Sequence, residues 1–296
     1  MIDSSFSYLA HAVFSSLDVA VRSAKRIFSV QVNGAAQLVF CGVLVCAVPV
    51  RAERELSTDR PDVTESPFTV EPGRVQIEAS FAEYTRDRHN PEREDICVTA
   101  WSLAPVNIRV GLTPCAEVQF IVDSFIDVKT VDRTAVTTDR VRGFGDVTVR
   151  AKWNFWGNDG GVTALGLMPF VKIPTARTGL GNHSVEGGLI LPFAMDLAAG
   201  FSLGAMTEGD VVRNAVDDGY TLAWINTVTV GYALTANLSV FGEFTAKVGE
   251  GSPALGFDTG LTYAVNKDLQ LDCGVNFGLT RAADDVVLFA GFTRRF

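Results

Sequence analysis

The sequence predicts an all-β fold, a transmembrane antiparallel up-and-down β-barrel of about twelve strands. Three observations lead there. The 296-residue chain is 47% hydrophobic, with a mean hydropathy of +0.21. Yet beyond its N-terminal region it has no uncharged apolar run of the roughly 18 residues that a helical span needs. Apolar residues instead alternate with polar ones, segment after segment. These segments run to about 11–14 residues, against ~5–6 for strands of soluble β proteins, and suit a tilted span of ~9–11 residues plus rims.

Residues 1–52 read as an extended N-terminus ending in a signal peptide. Arg22, Lys25 and Arg26 precede the apolar stretch Ala35 to Val50, and Val50 and Ala52 stand at −3 and −1 of a cleavage site after Ala52. A short buried helix is the competing reading. Cys41 and Cys46 follow Phe40 and Val45, which are too large for a lipidation site. Cys97, Cys115 and Cys273 remain, with no zinc or disulfide spacing. Residues 53–73 are polar, Pro-rich and without period. They read as a periplasmic leader, or as a plug folded back into the barrel.

Residues 74–296 form the expected barrel. Strands are predicted near 74–86, 96–112, 116–128, 143–156, 161–173, 184–196, 199–210, 219–233, 236–248, 254–266, 268–280 and 285–296. The clearest is Leu269 to Leu279, where Leu269, Leu271, Cys273, Val275, Phe277 and Leu279 alternate with Gln270, Asp272, Gly274, Asn276 and Gly278. Side chains change face at every residue of a strand, so this one has a greasy and a polar side. Val147 to Phe155 and Leu255 to Val265 repeat the pattern. It is disturbed near Phe241-Gly242 and least regular over 161–212.

Short connections (113–115, 157–161, 197–200, 234–236, 266–268) alternate with longer, more charged ones (87–95, 129–142, 174–182, 207–218, 246–253). That is the asymmetry of periplasmic turns and external loops. Tyr84, Trp101, Trp153, Trp156, Trp224, Tyr232 and Tyr263 fall near strand ends, as aromatic girdles do. The terminal alternation Val286, Leu288, Ala290, Phe292, Arg294, Phe296 resembles a signal read by barrel-assembly machinery. Arg294 departs from the usual aromatic or apolar residue, but at a strand end it can snorkel to head groups.

Charge narrows the partners. The net charge is −9, and removing 1–52 takes away four basic and two acidic residues. An acidic chain without basic clusters is not built for nucleic acid; lipid and a small molecule of unknown identity are the expected partners. No cofactor is expected. His89 sits in a charged loop, and His183 and Ser184 are read as strand neighbours that point to opposite faces, so no Ser/His catalysis is expected. Glu92, Glu94, Asp95, Asp217, Asp218, Asp284 and Asp285 lack the fixed spacing of a cation loop and read as solvated charge, not a metal site.

The opening Thr58-Asp59-Arg60-Pro61-Asp62-Val63-Thr64-Glu65-Ser66-Pro67, followed by Val70-Glu71-Pro72-Gly73 and Gln76-Ile77-Glu78, resembles that of the "putative MetA-pathway of phenol degradation" family. Gly111-Leu112-Thr113 with Glu117, and Gly143 to Asp146 leading to Lys152, are similar to its weaker later landmarks. The resemblance runs from about residue 57 to the C-terminus. It implies an outer-membrane barrel that moves small, often aromatic, compounds; it identifies neither substrate nor enzymatic role.

Strand parity turns Glu78, Arg109, Glu117, Asp123, Asp146, Arg150, Lys152, Glu186, Glu243, Lys247, Asp258 and Asp272 inward. They read either as a pore lining that sets selectivity or as ion pairs that close the interior. Twelve strands lie between barrels filled by side chains and open porins, so a narrow, partly obstructed passage is expected. In a plug, Asp59, Arg60, Asp62 and Glu65 would pair with the lumen charges. The function expected is passive uptake of small, aromatic or otherwise hydrophobic molecules across the outer membrane. The alternative is a closed structural or interaction barrel.

Overall fold

The computed structural model describes residues 54–88, 90, 96–214 and 219–296. The signal-peptide reading, residue 53 of the leader, and the loop residues His89, Glu92, Glu94, Asp95, Asp217 and Asp218 lie outside them. No helix among the described residues is long and apolar enough to cross a membrane, which says nothing against crossing by strands.

The strands are β1 (Val75–Asp87), β2 (Cys97–Leu103), β3 (Val106–Thr113), β4 (Ala116–Val122), β5 (Phe125–Asp132), β6 (Thr137–Gly143), β7 (Val147–Trp156), β8 (Thr163–Ile173), β9 (Glu186–Asp196), β10 (Phe201–Arg213), β11 (Tyr220–Ala233), β12 (Leu238–Val248), β13 (Ala254–Asn266), β14 (Leu269–Gly278) and β15 (Val286–Arg295). All pair antiparallel, and β15 returns to β1, closing the sheet. Three wall strands are interrupted. β2 and β3 break at Ala104-Pro105, β4 and β5 at Asp123-Ser124, and β6 and β7 at Phe144 to Asp146. Counted across these breaks, the described residues cross the wall twelve times. Pro105 has no N–H for the ladder, so the first break is written in the sequence.

Closure is completed at the C-terminus, where the Phe296 amide donates to the Val75 carbonyl at 2.8 Å. The side chain of Arg294 lies over the Phe296 ring, 5.6 Å from its centre. Closing the ladder leaves neither β1 nor β15 with an exposed edge, the condition for a sheet to sit in lipid. Outward positions carry exposed Leu, Val, Phe and Trp, from Phe81 and Trp153 to Leu261 and Leu288. Trp153, Trp156, Tyr232 and Tyr263 are exposed near the end with short turns, and Trp101 and Trp224 near the loop end.

Several expectations are corrected. Lys129 to Arg142, read as a loop, is mostly β5 and β6, joined through 133–136 and paired from Ile126–Gly143 to Asp132–Thr137. The misreading has a physical cause. From Lys129 to Arg142 charged residues and Thr dominate, with only Val131, Ala135, Val136 and Val141 apolar, so no sustained alternation marks the hairpin. Arg140 and Arg142 both bond Asp127 there. The loop predicted from Thr207 begins only after Arg213, because Glu208 and Asp210 belong to β10 and pair in register with Ile225 and Ala223. The irregular stretch 161–212 contains well-formed β8, β9 and β10. Phe241-Gly242 causes no slip: the β12 register with β13 is continuous, and Phe241 turns inward and is buried. His183 and Ser184 precede β9, in the loop.

Candidate functional site: the lumen

Residues 54–74 run along the inner face of the wall, held by the side chains that parity turns inward. The centre of this contact is Arg109 of β3, fully buried. Its guanidinium donates to Glu117 at 2.8 and 3.2 Å, to Glu78 at 2.8 Å and to the carbonyls of Phe68 (2.9 Å) and Ser57 (3.2 Å). Asp59 lies 3.3 Å from the same group, bonds Lys152, and accepts from Gln119 at 2.8 Å. Three carboxylates thus share two cations with almost no water contact. Such groups are tolerated in the interior only when paired and fully hydrogen-bonded.

The rest of the segment repeats this logic. Arg60 donates to Asp272 at 2.7 Å and to Ser80 at 2.6 Å. Glu243 accepts from the Val63 and Thr64 amides at 2.7 and 2.8 Å and from the Thr64 hydroxyl at 2.5 Å. Glu65 pairs with Arg150. The Asn154 amide donates to the Pro67 carbonyl at 2.9 Å. Ser66 donates its N–H to Asp59 at 3.2 Å and shares a 2.7 Å hydroxyl contact with Ser57. Pro61 is half-buried beside Arg60, and Asp62 lies near Glu243.

The structure therefore brings Glu78, Arg109, Glu117, Lys152, Arg150, Glu243 and Asp272 together with the segment. Asp258 sits opposite Glu243 in the β12–β13 register. A second group forms nearer the loop end: Lys172 bridges Glu186 and Asp146, and Asp123 faces the same cavity of about 540 Å³ with Gly181 and Asn182. Lys247 stands apart, exposed at the loop end of β12.

Close approach is built in at Gly111. A Cβ there would fall 2.0 Å from the Glu71 carbonyl oxygen and 2.5 Å from that of Val70. Gly111→Ala is expected to lift residues 70–73 off the wall and to destabilise by about 1–3 kcal/mol, the usual range for overpacking. A lower temperature for losing the compact band on heat-modifiable gels is the readout, and an unchanged temperature would refute the contact.

Two features escaped sequence reading. Met168, Ile190 and Met206 form a buried apolar cluster, with Phe170 and Ile225 packed on it. The three are inward residues of β8, β9 and β10, where an apolar residue then stands on the face expected to be polar; that is why the alternation over 161–212 looked irregular. The other is Arg295, whose inward direction follows from an outward Arg294. It donates to Asp268 and to the Arg54 carbonyl, both at 2.9 Å, and lies 3.3 Å from Glu71. Partial burial works to raise the Asp268 carboxyl, but the Arg295 hydrogen bond and the charges of Arg295 and Arg74 hold it below its ordinary 3.8. A depressed acid stabilises the fold above its ordinary value and loses that contribution as pH falls through the lower folded one. Acid titration below pH ~4 should thus weaken the wild-type chain more than Asp268→Asn. Equal acid sensitivity would remove the turn from this account.

A closed antiparallel barrel with an apolar exterior, aromatic rims and a charged interior defines the outer-membrane class of transmembrane β-barrels. This chain belongs to the family described as "Putative MetA-pathway of phenol degradation", whose model matches residues 58–296. Among solved structures it is similar to the COG4313 outer membrane channel from Pseudomonas putida F1, with a TM-score of 0.58 at 14% identity, covering 77% of this chain and 98% of that one. That likeness shows the fold. The KdgM porin in complex with disordered oligogalacturonate matches at a TM-score of 0.48 and 10% identity, covering 75% of this chain and 99% of that one. The CymD monoaromatic hydrocarbon channel matches at 0.45 and 10%, covering 77% and 89%. No curated protein sequence matches the chain.

Proposed function

We propose that the protein is a passive channel of the bacterial outer membrane for small, uncharged aromatic or otherwise hydrophobic molecules, with residues 54–74 acting as a plug that narrows its lumen. The observation that carries this reading is how the inner wall is divided. Its buried charges are engaged with one another or with the segment, while β8 to β11 present Met168, Phe170, Ile190, Met206 and Ile225 to the interior. Met168, Ile190 and Met206 are covered while the segment is in place, so this side offers apolar contact to a solute when the segment gives way there. The family description, with its reference to phenol degradation, supports the aromatic class. Short turns then face the periplasm, and Phe296 would serve the assembly machinery. No catalytic step enters this reading.

A closed structural barrel is the second reading, favoured by the complete burial of Arg109, Glu117 and Lys152 across part of the lumen. Liposome swelling with matched panels of aromatics, organic acids and sugars separates the two. Entry of uncharged aromatics ahead of sugars of similar size is expected. Equal rates for both would overturn the apolar selectivity, and impermeability to every solute by well-folded protein would leave the closed barrel.

A further inference from the structure

The outer wall carries a defect in its greasy belt where β1 meets β15. The ladder slips between Ser80 and Ala82, and beyond it Ala82 pairs with Ala290. Two of the smallest side chains therefore face outward side by side, between larger neighbours. The result is an apolar dent of about 400 Å³ lined by Ala82, Tyr84, Trp101, Leu288, Phe289 and Ala290. This falls within the ~300–1,000 Å³ of ordinary ligand pockets. One flank is aromatic: the Tyr84 and Trp101 rings pack against each other at 53°, with centroids 4.9 Å apart.

A void on a hydrocarbon-facing surface forfeits dispersion contacts until something fills it, and at this depth acyl chains are what surrounds the wall. The face also continues to a charge. Ala82, Tyr84 and Arg86 follow one another on the outward side of β1, so Arg86 lies about 13 Å along the strand from Ala82, toward the loop end. Arg86 is exposed. Its register partners are Thr99 and Val286, neither of them acidic. The nearby Arg88 is engaged by Asp285 at 2.7 Å.

We propose that this groove is a lipid site. It seats one acyl chain of a phospholipid of net negative headgroup charge from the loop-side leaflet in the Ala82–Ala290 dent and holds that headgroup at Arg86. The inference rests on membrane insertion but not on transport, and the heat-modifiable gel shift of each protein checks insertion competence separately.

The test is native mass spectrometry of the full chain in mild detergent, titrated with phosphatidylglycerol or phosphatidylcholine. One phosphatidylglycerol should be retained about fivefold more than phosphatidylcholine, the advantage expected of a single interfacial arginine. Ala290→Leu fills the dent and should abolish retention of both lipids. Arg86→Gln, a surface change, should keep chain binding and lose the preference for phosphatidylglycerol. Equal retention of the two lipids by the unaltered protein would overturn the headgroup assignment. Undiminished retention by Ala290→Leu would overturn the dent. If Ala290→Leu does not give the compact band, the Arg86→Gln comparison decides alone.

Discussion

Arg109→Ala is expected to destabilise the barrel by about 3–5 kcal/mol, the range for removing one partner from a buried ion network. The substitution leaves Glu78 and Glu117 facing each other and takes one of two cations from Asp59, all in a region nearly closed to water. It also strands the carbonyls of Ser57 and Phe68. The unfolding temperature on heat-modifiable gels, or the denaturant midpoint, should fall sharply, and Arg109→Lys should recover only part because it cannot reach two carboxylates with a planar fork. Arg140→Ala is the control. That arginine bonds Asp127 closely, yet half of its side chain is exposed and the pair is screened by solvent, so its loss should shift the unfolding temperature little. Similar effects for the two changes would mean that the lumen network is hydrated and contributes as a surface pair does.

Deletion of residues 53–68 is expected to give the largest functional change: single-channel conductance in planar bilayers should rise several-fold. The segment occupies lumen volume, brings its backbone to Glu243, Asn154 and Arg109, and sets the Arg60 side chain on Asp272. Removing it leaves those groups to water, which a polar lumen accepts. Glu243→Gln is the milder form. It weakens three bonds made to one carboxylate, interactions worth about 1.5–3 kcal/mol each when the acceptor is charged, and should produce brief openings to the level of the deletion. An unchanged conductance in a deletion protein that still shows the compact band would show that the segment is not the restriction.

The architecture was readable in the chain because a membrane wall imposes a rule on every second residue. Leu269 to Leu279 obeys it and was placed to within two residues; Val147 to Phe155 obeys it too, and its strand ends where expected but starts four residues later than the predicted 143. The rule fails where the surroundings stop being lipid outside and water inside. From Lys129 through Arg142 only Val131, Ala135, Val136 and Val141 are apolar, so the far part of the β5–β6 hairpin reads as a loop. The inner faces of β8 to β10 are covered by the segment and by each other, so Met168, Ile190 and Met206 hid the period. Even the residues of the charged site were nameable by parity, from Glu78 to Asp272.

Sequence alone therefore determined the strand number, the two faces of the wall and the sign of each inward charge, because these depend on local alternation and on the order of turns. Only the tertiary structure decided what those charges do. Arg60 finds Asp272, more than two hundred residues away, and Asp59 finds both Arg109 and Lys152. These pairings arise from closing the ladder between β1 and β15 and from threading one segment through the resulting ring. Parity fixes a direction for each side chain, but a partner across the lumen is fixed only when the circle is complete.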